Sequence, residues 1–252
     1  MITSSKCIGC GRCLKVCSTG AAAEKDLLKA RKMCIVCGKC VDVCPTTSRQ
    51  MVGHFMSVDK LMEEIEKDIP YYRLSGGGIT VSGGEPLMQW GFTVELLKRC
   101  QIEGIHSSLE TSGHTNWRIF ERILKYVDLV LYDIKHIDSN QHKKLTGVEN
   151  KFILQNAKKA IQIGKEMIIR VPFVPGLNDS KENLRAIATF TKSLKNVKEI
   201  HLLPYHRLGE SKYERLGRRY KIKDVIKTLD QDILLQAKEL IESYHIKAEV
   251  VG

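Results

Sequence analysis

Eight of the nine cysteines in this 252-residue chain fall into two runs of identical spacing. Cys7, Cys10, Cys13 and Cys17 read C-x2-C-x2-C-x3-C. Cys34, Cys37, Cys40 and Cys44 repeat the spacing, with Pro45 after the last. In a secreted protein this many cysteines would suggest disulfides. No apolar signal segment precedes Cys7, and in a reducing compartment the same count points to metal. Zinc sites use pairs of ligands rather than four cysteines at such intervals. Cys100 stands alone in a helical pattern and reads as a buried thiol.

Two tandem runs of this spacing are the bacterial two-cluster ferredoxin pattern. Close spacing lets a tight loop aim three thiolates at one iron–sulfur cube, and the fourth cysteine crosses to the other. Cluster one is therefore assigned to Cys7, Cys10, Cys13 and Cys44, and cluster two to Cys34, Cys37, Cys40 and Cys17. Gly9, Gly11 and Gly38 suit a backbone that turns sharply among the ligands. Ser18 stands where the first run would often carry a proline.

The formal charge of +11 is concentrated near the cysteines, since residues 1–56 carry nine Lys/Arg against three Asp/Glu. Two clusters with thiolate ligands add about −2 each and lower the total to roughly +7. The other cations are scattered over amphipathic segments, so nucleic-acid binding is not expected. No apolar run reaches the roughly 18–20 residues that span a bilayer. The expectation is a cytoplasmic protein without a membrane partner.

After a connector near 46–55 the pattern changes. Ser57 reads as an N-cap, followed by Val58, Leu61, Met62 and Ile65 at helical spacing. Strands are expected at 79–82, 107–110, 129–134, 167–174 and 199–204. Helices are expected at 90–104, 117–126, 150–164, 181–194 and 231–245, and residues 248–251 form an apolar tail. This alternation implies parallel strands with covering helices, about five βα units in all. The short apolar strands suggest that both faces are covered. A partial barrel or an open sheet fits this count, with a ferredoxin-like domain at 1–52 and the α/β domain at 53–252. In such folds chemistry gathers at the carboxyl ends of strands. Polar residues do cluster there: Ser82 to Glu85, Glu110 to Gly113, Asp133 to His136, Arg170, and Pro204 to His206.

The sequence resembles the activating enzymes of glycyl radical enzymes, a branch of the radical S-adenosylmethionine superfamily similar to pyruvate formate-lyase activase. The carriers are the paired cysteine runs, Ser75-Gly-Gly-Gly-Ile-Thr-Val-Ser-Gly-Gly-Glu-Pro86, Glu110-Thr-Ser-Gly113, Asp133-Ile-Lys-His136 and Leu203-Pro-Tyr-His206. The resemblance implies a partial (β/α)6 TIM-like barrel and reductive cleavage of S-adenosylmethionine. It also implies hydrogen abstraction from a glycine of a partner glycyl radical enzyme, and an electron donor such as flavodoxin or ferredoxin. Gly83 and Gly84, lacking Cβ atoms, would let backbone carbonyls approach the cofactor's ammonium, with Glu85 beside them. Glu110 and Asp133 would hold that ammonium or a monovalent cation. Lys135 and Arg170 would meet the carboxylate or ribose. His206 resembles the family's cofactor-contacting histidine.

One departure matters. The family's C-x3-C-x2-C loop holds a third [4Fe–4S] cluster, whose open iron S-adenosylmethionine chelates. The 252 residues contain no such motif; Gly20 and Thr47 stand where Cys17 and Cys44 would need a cysteine three residues on. The expectation is a chain shortened at its N-terminus, lacking the first strand and cluster loop, inactive alone, and with strand 79–82 at the sheet edge. The alternative is a ferredoxin-type electron-transfer protein with the barrel as scaffold.

Overall fold

The computed structural model describes residues 1–220 and 230–251. Among these, contacts separate two compact units: Met1–Phe55 with 206–220, and Met56–Tyr205 with 230–251.

In the first unit, the one-turn helices Arg12–Lys15 and Lys39–Asp42 each follow a glycine in the left-handed region, Gly11 and Gly38. The two cysteine runs thus share a local geometry. Asp26 caps helix Leu27–Met33 by accepting from the N–H groups of Leu28 and Lys29. An antiparallel bridge pairs Ile2 with Arg49, whose guanidinium donates to the Ala22 carbonyl at 2.7 Å. Buried apolar side chains here amount to Ala21, Ala22 and Ala30 among the described residues. Three methyl groups are a very small core, and units this small usually need metal or disulfides to stay folded.

The second unit is built on six parallel strands in sequence order: β1 (Gly78–Val81), β2 (His106–Thr111), β3 (Leu129–Asp133), β4 (Glu166–Phe173), β5 (Glu199–Pro204) and β6 (Lys247–Val250). The sixth strand comes from the apolar tail, so the count exceeds the five units expected. Because every crossover advances in one direction and crossovers are right-handed, the helices collect on one face. Phe120, Ile123, Leu124, Ala157 and Ile187 pack there against Val130, Tyr132, Ile169, Val171, Ile200 and Leu202, all fully buried. Each large side chain contributes roughly 1.5–3 kcal/mol by leaving water.

The other face differs from expectation. Burial alternates along β3, β4 and β5, leaving Leu129, Leu131 and Asp133, then Ile168 and Arg170, then Glu199 and His201 half-buried. The sheet is covered on one side, and its inner side carries polar groups. Among the described residues β1 pairs only with β2 and lies at the sheet edge. Cys100 is fully buried, with Sγ 3.9 Å from Met62 Sδ. Two α-helices of this unit were not expected from the sequence, Ile69–Ser75 and Ser139–Thr146. Both are short and lack a sustained apolar stripe. No helix of the described residues is long and apolar enough to cross a membrane.

Candidate active site

A cavity of about 320 Å³ opens at the carboxyl ends of the strands. Gly83, Gly84, Glu85, Glu110, Asp133 and Lys135 all line it. Gly83 adopts a φ of +125°, which side chains with a Cβ rarely reach. Its backbone is therefore free to face a ligand.

Glu85 turns its carboxylate toward the neighbouring strand end. One oxygen accepts from Thr111 Oγ1 at 2.6 Å and the Leu87 N–H at 3.3 Å; the other accepts from the Ser112 hydroxyl at 2.7 Å and N–H at 3.1 Å. Glu85 thus braces the loop after β1 against the loop after β2. Gly113 follows, where an added Cβ would stand 1.9 Å from the Tyr132 hydroxyl and φ is +66°. Only glycine fits this close approach. Tyr132 donates to the Ile153 carbonyl at 2.7 Å, and burial pushes its phenol well above the ordinary range.

On the inner face, Glu110 and Arg170 form an ion pair at 2.8 Å, with side chains 31% and 17% exposed. Glu110 registers with Leu131, and Leu131 with Ile168, two residues before Arg170. The guanidinium therefore reaches across β3 to its partner. Lys135 Nζ lies 2.9 Å from one Asp133 oxygen. The other, Oδ1, is buried with no hydrogen-bond partner among the described residues. An unpaired buried carboxylate oxygen is costly and is what a cationic or hydroxyl ligand group would satisfy.

His206 is exposed and begins the stretch that groups with the first unit. The structure adds Thr111, Ser112, His114, His142, Thr146 and Val148 to the cavity wall. His142 sits on helix Ser139–Thr146, and its Nδ1 is 2.7 Å from the Val148 carbonyl oxygen. A carbonyl only accepts, so Nδ1 carries the proton and the neutral ring leaves a lone pair on Nε2. Burial lowers its pKa, and the charges of Lys135 and His114 act in the same direction. Thr111 and Ser112 were legible inside a quoted motif; His142 lies in a polar helix that gave no periodic signal.

In the first unit, backbone N–H groups approach two cysteine sulfurs: Ala22 to Cys17 at 3.3 Å and Val36 to Cys34 at 3.4 Å. The Ala22 N–H and the Thr19 hydroxyl hold the Cys17 thiol below its ordinary pKa, and the Arg49 N–H does the same for Cys44. These two are the fourth cysteines of their runs. Among the described residues no three cysteine sulfurs gather within 4.8 Å of one another. Thiols in two equally spaced runs are the donor set of iron–sulfur clusters.

Comparison with known proteins agrees. The Radical SAM superfamily model matches residues 34–188, and a 4Fe-4S dicluster domain model matches residues 1–45. The choline trimethylamine-lyase activating enzyme of Oleidesulfovibrio alaskensis is 39% identical over 97% of this chain and 81% of its own length. The chain belongs to the radical SAM superfamily, among the activating enzymes of glycyl radical enzymes. The pyruvate formate-lyase-activating enzyme of Clostridium pasteurianum is 40% identical over 75% of this chain and 81% of its length. A crystal structure of a domain of the corresponding Bacteroides vulgatus enzyme aligns with a TM-score of 0.59 at 29% identity, covering 70% of this chain and 99% of that one. In this radical SAM enzyme the helix-covered, six-stranded sheet is a partial barrel, and its cavity lies at the strand ends where such folds place their chemistry.

Proposed function

We propose that the cavity binds S-adenosylmethionine and that the chain serves the activation of a partner glycyl radical enzyme. The observation that carries this reading is Asp133, with one oxygen on Lys135 and the other buried and unpartnered among the described residues. That oxygen accepts from the methionine ammonium, or takes a monovalent cation beside it. The Gly83 and Gly84 backbone faces the same group. Lys135 meets the carboxylate, and the Glu110–Arg170 pair faces the ribose with its charge balanced within the chain.

Cys7, Cys10, Cys13 and Cys44 hold one [4Fe–4S] cluster, and Cys34, Cys37, Cys40 and Cys17 the other. The clusters supply one-electron chemistry. The thiolates set their charge, and nine Lys/Arg in residues 1–56 offset it. The electron donor is a flavodoxin or ferredoxin, and the setting is the cytoplasm. The 252 residues hold no C-x3-C-x2-C, so on this reading they bind S-adenosylmethionine without cleaving it by themselves.

The test is anaerobic reconstitution followed by iron analysis and product chromatography. About eight irons per chain, rather than twelve, and no 5′-deoxyadenosine under dithionite are expected. Twelve irons, or measurable deoxyadenosine, would overturn the assignment of clusters.

A further inference from the structure

Four asparagines of the second unit are almost fully buried: Asn150, Asn156, Asn178 and Asn183, each between 2% and 4% exposed. Burying an amide is unfavourable unless its donors and acceptor are used. Here they are used on loop backbone. The Asn178 amide donates to the Lys135 carbonyl at 2.9 Å and the Pro172 carbonyl at 2.6 Å. Its own oxygen accepts from the Val174 N–H at 2.8 Å. Asn183 then donates to the Asn178 carbonyl and accepts from the Ile137 N–H. Asn156 does the equivalent for another loop, donating to the carbonyls of Gly113 and Thr115.

We infer that Asn178 is a positioning residue for the cavity, joining the loop after β4 to the backbone of Lys135. Its side-chain hydrogen bonds to Val174, Lys135 and Pro172 all go to backbone. Its effect passes through the Lys135 carbonyl, in the same residue as the ammonium that pairs with Asp133. An amide suits this place because it offers donors and an acceptor together without a charge. The inference deepens the reading of the cavity as an S-adenosylmethionine site and rests on it.

The discriminating variant is Asn178→Asp, which keeps volume and the acceptor for Val174 but loses both donors. Backbone amide exchange and S-adenosylmethionine affinity are measured on the cluster-reconstituted chain. Exchange at 134–137 should rise about tenfold while 113–115 stays within about twofold, and the dissociation constant should rise about tenfold. Asn156→Ala should show the opposite exchange pattern. Should Asn178→Asp not fold, Asn178→Ser retains a hydroxyl donor, and a smaller rise in both quantities is expected. Unchanged exchange at 134–137 overturns the inference, and so does faster exchange with affinity within about twofold of wild type. A wild-type chain that takes up no S-adenosylmethionine would refute the reading of the cavity instead; the exchange pattern would still decide whether Asn178 holds the Lys135 backbone.

Discussion

Thr111 Oγ1 donates a 2.6 Å hydrogen bond to Glu85, and the same carboxylate takes both donors of Ser112, so Glu85 ties the loop after β1 to the end of β2. Replacing Glu85 with Ala leaves those donors without their acceptor near the cavity floor. The expected outcome is a loss of about 1–3 kcal/mol in stability and at least about tenfold in S-adenosylmethionine affinity. Glu85→Gln, which keeps one acceptor oxygen, should lose less of both. Denaturant melts and calorimetric titration check this; equal affinity in all three proteins would contradict it.

The Glu110–Arg170 pair crosses β3 in a partly shielded place. Arg170→Met alone strands the Glu110 carboxylate, whereas Arg170→Met with Glu110→Gln removes both charges. The single change should destabilise by about 1–3 kcal/mol and the double change by less. A double-mutant cycle measures the difference. Additive losses would show that the pair is uncoupled.

His142 gives a pH dependence whose sign follows from its burial. Its folded-state pKa is depressed below the ordinary value of 6.5, so the unfolded chain takes up the proton first. Stability is complete above that value and falls as pH drops below it toward the folded pKa. His136, likewise depressed by burial, adds to the trend. Thermal midpoints between pH 8 and 5 should decline for wild type and decline less for His142→Gln. Parallel curves would assign the trend to other groups.

Iron removal should act on one unit. With three buried alanines as its apolar core, the first unit depends on its clusters, while the barrel has an extensive core of its own. Trp90 and Trp117, the only tryptophans, both lie in the second unit. Chelation should therefore make residues 1–55 protease-sensitive while tryptophan fluorescence stays native-like. Loss of both together would mean that the barrel also requires iron.

Much of this was legible in the sequence because chemistry needs local spacing. The paired cysteine runs and the polar strand ends announce themselves within a few residues, and six of the eight expected cofactor contacts meet in one cavity. His142 and the buried asparagines were not legible. Their roles depend on backbone carbonyls brought close by tertiary packing, and an isolated Asn in a helix or loop reads as a polar surface residue. The strands looked apolar enough to be covered twice. Alternation between helix-facing Val130 or Ile169 and inner-face Asp133 or Arg170 becomes plain only when the sheet is seen to have a single helical layer.

The central claim is that the cavity beside Asp133 receives S-adenosylmethionine. Calorimetric titration of S-adenosylmethionine into the reconstituted chain, beside Asp133→Ala, tests it most directly. Saturable binding of one molecule per chain, weakened at least about tenfold in the variant with its fold intact, is the predicted result. No binding to the wild type, or equal binding to both proteins, would contradict it.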